Sequence, residues 1–500
     1  MIVATPAGRI EGTDAGGANA FLGIPYAEPP LGPLRWRAPL PARPWRGVRD
    51  ATALPPGPPQ PAAGLAGGAT LPGIDVALTD EDCLTVNIWS PPGASAAPVM
   101  VWLPGGAFVT GGAGIPLYDG SALARRHGVV VLTVTYRVGA IGFAALPDAP
   151  ANRGLLDQVA ALQWIRGAID AFGGDPTNVT VFGESAGGGS VAHLCAMPAA
   201  DGLFTRAIVQ SGATDATLTM DQADRVAQQF LAALGDDGAR IDGVAVDRII
   251  AAQGEAMLAT MAEVGAMPFH PVVDGAVVTR RPVDALSRAS TRDLALLIGT
   301  TRDEMRMFLD AKAAKLDAER LTRRTTRYLA SLGVENAADV APGLVELYRT
   351  DPHLPSPGDA WSAIQTDGEM RRPAAAMADA HAGSGAPTFV YRFDEPLSGP
   401  LAHRWACHGA DIPYPFGTID RCGWPEVLGP AAGRLSDGIQ AAWAGFARDG
   451  DPSCDELGSW PAYETVRRPT MVLAARPERT DDPDADRRRR WAEVAPVTGS

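Results

Sequence analysis

Val179-Thr180-Val181-Phe182-Gly183-Glu184-Ser185-Ala186-Gly187-Gly188-Gly189-Ser190 is the stretch on which the fold turns. Val179 to Phe182 are β-branched or aromatic and read as a strand. Ala186 to Ser190 are small and read as the start of a helix. Between them, Gly183-Glu184-Ser185-Ala186-Gly187 fits G-x-S-x-G, the pattern in which a sharp strand-to-helix turn lifts a serine hydroxyl above the edge of a sheet. The flanking glycines suit a turn too tight for a Cβ. The helix N-terminus places the positive end of a dipole beside a developing oxyanion. In a chain with 56 glycines the bare pattern also arises by chance. The strand before it and the helix after it make Ser185 the candidate nucleophile.

Outward from this point the chain alternates. Apolar β-type runs occur at Val99–Leu103, Val129–Thr135, Asn178–Phe182 and Ala207–Gln210, with helical segments between them, notably Gly154–Phe172. Such alternation implies a mostly parallel central sheet covered by helices on both faces. Leu294–Ile298 and Thr388–Phe393 read as further strands and Ser436–Ala447 as a late helix. Residues 1–75 are rich in Gly and Pro, with short strand-like pieces such as Gly23-Ile24-Pro25-Tyr26. The expected organisation is one α/β domain over 1–500, with helical cap insertions at roughly 215–290 and 303–385. Near the end, Asp481, Asp482, Asp484 and Asp486 precede Arg487 to Arg490, a run expected to be a solvated helix face.

Composition bounds the function. The chain has 500 residues, 46% of them hydrophobic, and a formal net charge of −14. It is large enough to bury a sizeable core, and its acidity argues against a nucleic-acid partner. No apolar run is long enough to span a bilayer, so no membrane role is expected. The N-terminus lacks the basic start and apolar stretch of a secretory signal. The five cysteines, Cys83, Cys195, Cys407, Cys422 and Cys454, are scattered and odd in number, unlike a disulfide framework. The expectation is a cytoplasmic enzyme.

A serine nucleophile needs oxyanion donors, a base and an acid. The N–H of Ala186, directly after the nucleophile, is one expected donor. The other should lie on a loop after an earlier strand. There, Val99-Met100-Val101-Trp102-Leu103 runs into Pro104-Gly105-Gly106-Ala107-Phe108. In chain order the acid precedes the histidine, and both should follow strands. After Leu294–Ile298, either Asp303 or Glu304 can serve. Asp303 suits helix capping, which leaves Glu304 as the candidate acid. Of the seven histidines, His408 sits in a loop after Thr388–Phe393 and is followed by a glycine. His403, five residues earlier, is its rival.

Taken together, these blocks make the chain resemble the type-B carboxylesterases, the para-nitrobenzyl-esterase-like relatives of the cholinesterases, with the α/β-hydrolase fold. The resemblance runs nearly end to end. It includes Phe21-Leu22-Gly23-Ile24-Pro25-Tyr26-Ala27-Glu28-Pro29-Pro30, Glu81-Asp82-Cys83-Leu84-Thr85-Val86-Asn87-Ile88 and Tyr136-Arg137-Val138-Gly139. It continues through Gly154-Leu155-Leu156-Asp157-Gln158, the elbow itself, Gly450-Asp451-Pro452 and Trp460-Pro461-Ala462-Tyr463. It implies a catalytic triad of Ser185, Glu304 and His408, favouring His408 over His403, and an oxyanion hole from Gly106, Ala107 and Ala186. It also implies structural ion pairs of Arg35 with Glu81 and Arg137 with Asp157. Some positions depart from the pattern. Pro104-Gly105-Gly106-Ala107 stands where the family usually has His-Gly-Gly-Gly. Met305 follows the acid where a glycine is usual. Cys83 would form the family's common disulfide, but no cysteine lies near Pro58-Pro59-Gln60, so that loop is expected to be unstapled.

The implied chemistry is hydrolysis of a small-molecule carboxylic ester through an acyl-enzyme, needing neither metal nor organic cofactor. Two alternatives are an amidase or carbamate hydrolase with the same triad, and a non-catalytic relative. The second is disfavoured by the presence of all three triad residues. Phe108, Phe308 and Phe416 are candidate pocket walls by proximity to the catalytic loops, with ordinary core packing as the alternative for each.

Overall fold

Alternation along the strands builds the molecule in layers. In the run Val99-Met100-Val101-Trp102-Leu103, the side chains of Val99, Val101 and Leu103 join one large apolar cluster, together with Val181 and Ile298. Met100 and Trp102 point the other way, into a second cluster with Phe182, Ile208 and Leu297. A strand buried on both faces in this manner belongs at the centre of a sheet.

The computed structural model describes residues 1–62, 71–212, 217–265, 267–287, 291, 293–309 and 312–497. Within them lie strands β1 (Ile2–Thr5), β2 (Gly8–Glu11), β3 (Thr13–Asp14), β4 (Asn19–Pro25), β5 (Val48–Asp50), β6 (Thr85–Ser90) and β7 (Ala97–Leu103). They continue with β8 (Val130–Val134), β9 (Gly174–Glu184), β10 (Arg206–Gln210), β11 (Ala295–Thr301), β12 (Thr388–Phe393), β13 (Pro469–Leu473) and β14 (Glu478–Asp481). β1, β2 and β5 form a small separate sheet. The others form an 11-stranded sheet in the order β14-β13-β12-β11-β10-β9-β7-β8-β6-β4-β3. From β8 to β13 neighbouring strands are parallel. Antiparallel pairs finish both ends. This is the mixed, mostly parallel sheet of the α/β-hydrolase fold, with helices such as Arg153–Ala168 and Ala432–Asp449 against its faces.

The inserted segments are helical where described. Met220–Leu234 and Val246–Val264 lie in the first. Ala318–Ser331, Ala337–Arg349, Pro357–Thr366 and Arg372–Gly383 lie in the second. Parts of both expected caps, residues 215–216, 266, 288–290 and 310–311, fall outside the described residues. Leu321, Leu329, Leu344, Tyr348 and Trp361 of the second segment make an apolar cluster of their own, which also takes in Trp491 from the last helix.

Two ion pairs tie the N-terminal segment to the sheet. Arg137 meets Asp157 at 2.6 Å with both side chains buried, and also donates to the carbonyls of Arg35 and Arg37. Arg35 meets Glu81 at 2.5 Å. The tail is only in part the solvated face that its charge run suggests: Asp481, Asp486 and Arg489 are exposed, while Asp482, Asp484, Arg487 and Arg488 are drawn into ion pairs. Asp484 accepts from Arg392 at 2.6 Å and lies 3.4 Å from Arg371, and Arg488 pairs with Asp482 at 2.7 Å. Arg487 pairs with Asp351. Asp484 and Arg487 turn inward because their partners sit on other elements, and a linear charge pattern carries no sign of that.

Among the described residues, no helix is long and apolar enough to cross a membrane.

Candidate active site

Parallel strands in register bring their C-terminal ends to one edge. Ser185 follows β9, Glu304 follows β11, His408 lies on the loop after β12, and Pro104–Ala107 follows β7. Open α/β sheets assemble their sites at this edge.

The turn at Ser185 is strained. Its φ of 57° and ψ of −124° lie outside the regions an L-residue readily adopts. The conformation is held from both sides: Ser185 N–H donates to the Gln210 carbonyl at 2.9 Å, and Gly189 N–H donates to the Ser185 carbonyl at 2.8 Å. Gly187 is required for space rather than for φ, since a Cβ there would lie 1.9 Å from the Leu103 carbonyl oxygen. Gly105 has the same role on the facing loop, where a Cβ would come within 3.1 Å of Ser185 Cβ.

His408 Nε2 lies 2.8 Å from Ser185 Oγ, and His408 Nδ1 lies 2.6 Å from Glu304 Oε2. The loops that carry Glu304 and His408 are clamped by their backbones. His408 N–H donates to the Glu304 carbonyl at 3.1 Å, and Asp303 N–H donates to the Ala406 carbonyl at 2.9 Å. Thr301 N–H donates to Glu304 Oε1 at 2.8 Å. Met305, where a glycine was expected, gives its N–H to Thr366 Oγ1 at 3.1 Å. His403 is exposed and stands apart from this cluster.

Asp303 occupies the N-cap position of the short helix Glu304–Phe308, yet its side chain makes no capping bond. Its carboxylate instead meets Arg302 Nε at 3.1 Å and accepts from Ala406 N–H at 3.4 Å. It therefore supports the loop that carries His408 rather than the helix end.

The electrostatics of the cluster are those of charges buried together. Burial raises the Glu184 carboxyl well above the usual carboxylate range, against the pull of His408. Burial alone would lower His408, but the carboxylates of Glu184 and Glu304 outweigh it and raise the imidazole. Burial also pulls Glu304 upward, but the charge and hydrogen bond of His408 and the N–H of Thr301 hold it below its ordinary value. Such groups titrate as a coupled set.

The Ala186 N–H stands in the first helical turn, where no carbonyl four residues back is available. Gly106, Ala107 and Phe108 all have positive φ, at 125°, 53° and 59°. The loop accommodates alanine and phenylalanine in the left-handed region, and its carbonyl at Gly106 accepts from Val109 and Thr110 N–H. Gln60 ties its loop to the segment after Phe108 by a pair of hydrogen bonds. Its Oε1 accepts from Gly111 N–H and its Nε2 donates to the Gly111 carbonyl, both at 2.9 Å. Cys83 is a buried free thiol.

The aromatic candidates separate. Phe308 is 48% exposed, and its ring centre lies 5.5 Å from that of His408. Phe108 is buried edge-on against Phe143. Phe416 is fully buried among Trp102, Tyr118 and Phe182 and is a core residue, not a pocket wall. Closeness in sequence to a catalytic loop does not fix the direction of a ring.

Sequence reasoning missed two buried carboxylates. Glu184, the variable residue of the elbow motif, places Oε1 3.3 Å from His408 Nε2. Asp411, three residues after the histidine, accepts from Gln210 Nε2 at 3.0 Å and from Tyr391 OH at 3.2 Å. An acidic residue beside a nucleophile was the available signal for the first.

The sequence profile described as the carboxylesterase family matches residues 1–491. The para-nitrobenzyl esterase of Bacillus subtilis (strain 168) is 38% identical, over 98% of this chain and 98% of its own length. Human carboxylesterase 3 is 35% identical, over 93% of this chain and 86% of its own. A solved thermophilic PNB esterase superposes with a TM-score of 0.86 at 37% identity, covering 98% of this chain and 99% of the other.

Proposed function

The chain belongs to the carboxylesterase family and is a serine carboxylesterase, and on that premise we propose that Ser185, His408 and Glu304 are its nucleophile, base and acid. The observation that carries the assignment is the unbroken relay of 2.8 Å from Ser185 Oγ to His408 Nε2 and 2.6 Å from His408 Nδ1 to Glu304.

In this reading His408 Nε2 takes the Ser185 proton as Oγ attacks the ester carbonyl. The N–H groups of Gly106, Ala107 and Ala186 receive the oxyanion, each donor lowering the barrier by about 3–4 kcal/mol. The tetrahedral intermediate collapses, and the alcohol leaves with the proton from His408. Water, deprotonated by the same nitrogen, then attacks the acyl-enzyme and releases the acid. Glu304 fixes the tautomer and stabilises the imidazolium. Phe108 and Phe308 border the substrate. The helical segments within 215–290 and 303–385 cap a single domain, the second joined to the acid loop through Thr366 and Asp359. The unpaired cysteines support a reducing, cytoplasmic setting.

A fluorophosphonate tests the reading. It should add one equivalent of mass at Ser185, and Ser185→Ala should abolish that labelling and lower kcat by about 10⁴-fold or more with the fold retained. Full esterase activity in the variant would remove Ser185 from the mechanism.

A further inference from the structure

A second cavity, of about 300 Å³, lies on one face of β11, β12 and β13, and neither Ser185 nor His408 nor Glu304 lines it. Its sides come from the helices Arg372–Gly383 and Ala485–Val494. The space exists because those helices contribute Ala375, Ala378 and Ala492, and Ala495 follows the second of them, where larger side chains would close it. Val390 adds to the apolar wall. The volume is at the lower end of the range for small-molecule sites.

The charges around it limit what can enter. Arg392 is met by Asp394 and Asp484, Arg468 by Asp379 and Arg488 by Asp482, at 2.6–2.8 Å. An anion would have to compete with these carboxylates, and a cation would meet the guanidinium groups. A guanidinium carries five N–H donors and no acceptor, so pairing with a carboxylate leaves donors for a neutral oxygen. The fitting ligand is therefore uncharged and largely aliphatic, with a hydrogen-bond-accepting oxygen at one end.

We propose that this cavity is a second, non-catalytic binding site for a small uncharged aliphatic carbonyl compound, a ketone or ester. The probe is 2-octanone, with octanoate as its charged counterpart. The enzyme is first blocked with a fluorophosphonate, and intact mass reports the adduct. If no adduct forms, the Ser185 assignment fails, while the comparison of cavity variants below still decides this proposal. Calorimetric titration of the blocked enzyme should give saturable one-site binding of 2-octanone. Ala375 is half-buried and Ala492 exposed, on opposite walls, and Ala375→Leu and Ala492→Leu should each weaken that binding at least about tenfold, with ester hydrolysis by the unblocked variants unchanged. Octanoate should bind at least about tenfold more weakly than the ketone. Absence of saturable binding, with the cavity holding water only, would overturn the proposal. So would ketone binding indifferent to both leucines, or octanoate binding as well as the ketone.

Discussion

Glu184 Oε1 lies 3.3 Å from His408 Nε2, the same ring nitrogen that meets Ser185 Oγ at 2.8 Å. The proposed base thus lies beside a carboxylate on the side facing Ser185 as well as one behind it. Both raise the imidazole pKa. A base must be neutral to accept a proton, so activity is present above the raised pKa and is lost as pH falls through it. The acid limb of kcat/KM should therefore lie above the ordinary histidine value of 6.5. Glu184→Gln keeps the shape and removes the charge, and the limb should move to lower pH. A pH–rate profile for the two proteins decides it, and an unmoved limb would contradict this role for Glu184.

Glu304→Gln should be more damaging. The amide cannot stabilise the imidazolium and can hold the ring in the wrong tautomer, a change that costs about 10⁴-fold in kcat in comparable triads. Steady-state kinetics at saturating ester, alongside an unchanged melting curve, would separate a catalytic loss from a folding one.

Asp157→Ala leaves the Arg137 guanidinium in the core without its carboxylate. Removing one partner of a buried pair destabilises by about 3–5 kcal/mol. Glu81→Ala at the less buried Arg35 pair should cost less. Denaturant melts of the two variants give the ordering directly, and equal losses would count against burial as the cause.

Burial makes Cys83 inert. Its thiol pKa is pushed far above the normal range, chiefly by desolvation, whereas Cys422 is exposed. Iodoacetamide should modify Cys422 in the native protein and reach Cys83 only after unfolding. Peptide mapping after timed alkylation measures this.

What could be read from sequence was what is local. Ser185 was legible because the strand, the glycines and the helix start are contiguous. His408 was preferred to His403 only through the family resemblance, and what separates them physically is contact between distant segments, above all the pairing of Ala406 and His408 with Asp303 and Glu304. Residue types in one loop do not encode that. Asp303 had the right position for a cap, but Arg302 and the Ala406 N–H compete for its carboxylate. The tail looked solvated because a charge run says nothing of Asp351, Arg371 and Arg392 waiting on other elements. Phe416 was misplaced for a related reason, since its neighbours in space come from β7 and β9.

The way the large sheet ends has a consequence for how copies of the molecule can meet. At one border stands β14, only Glu478–Asp481 and mostly charged; at the other stands β3, two residues long. Unpaired strand borders normally invite recruitment of a foreign strand, and short charged ones discourage it. Self-association of the large sheet through continuous cross-molecule ladders is therefore disfavoured at both margins.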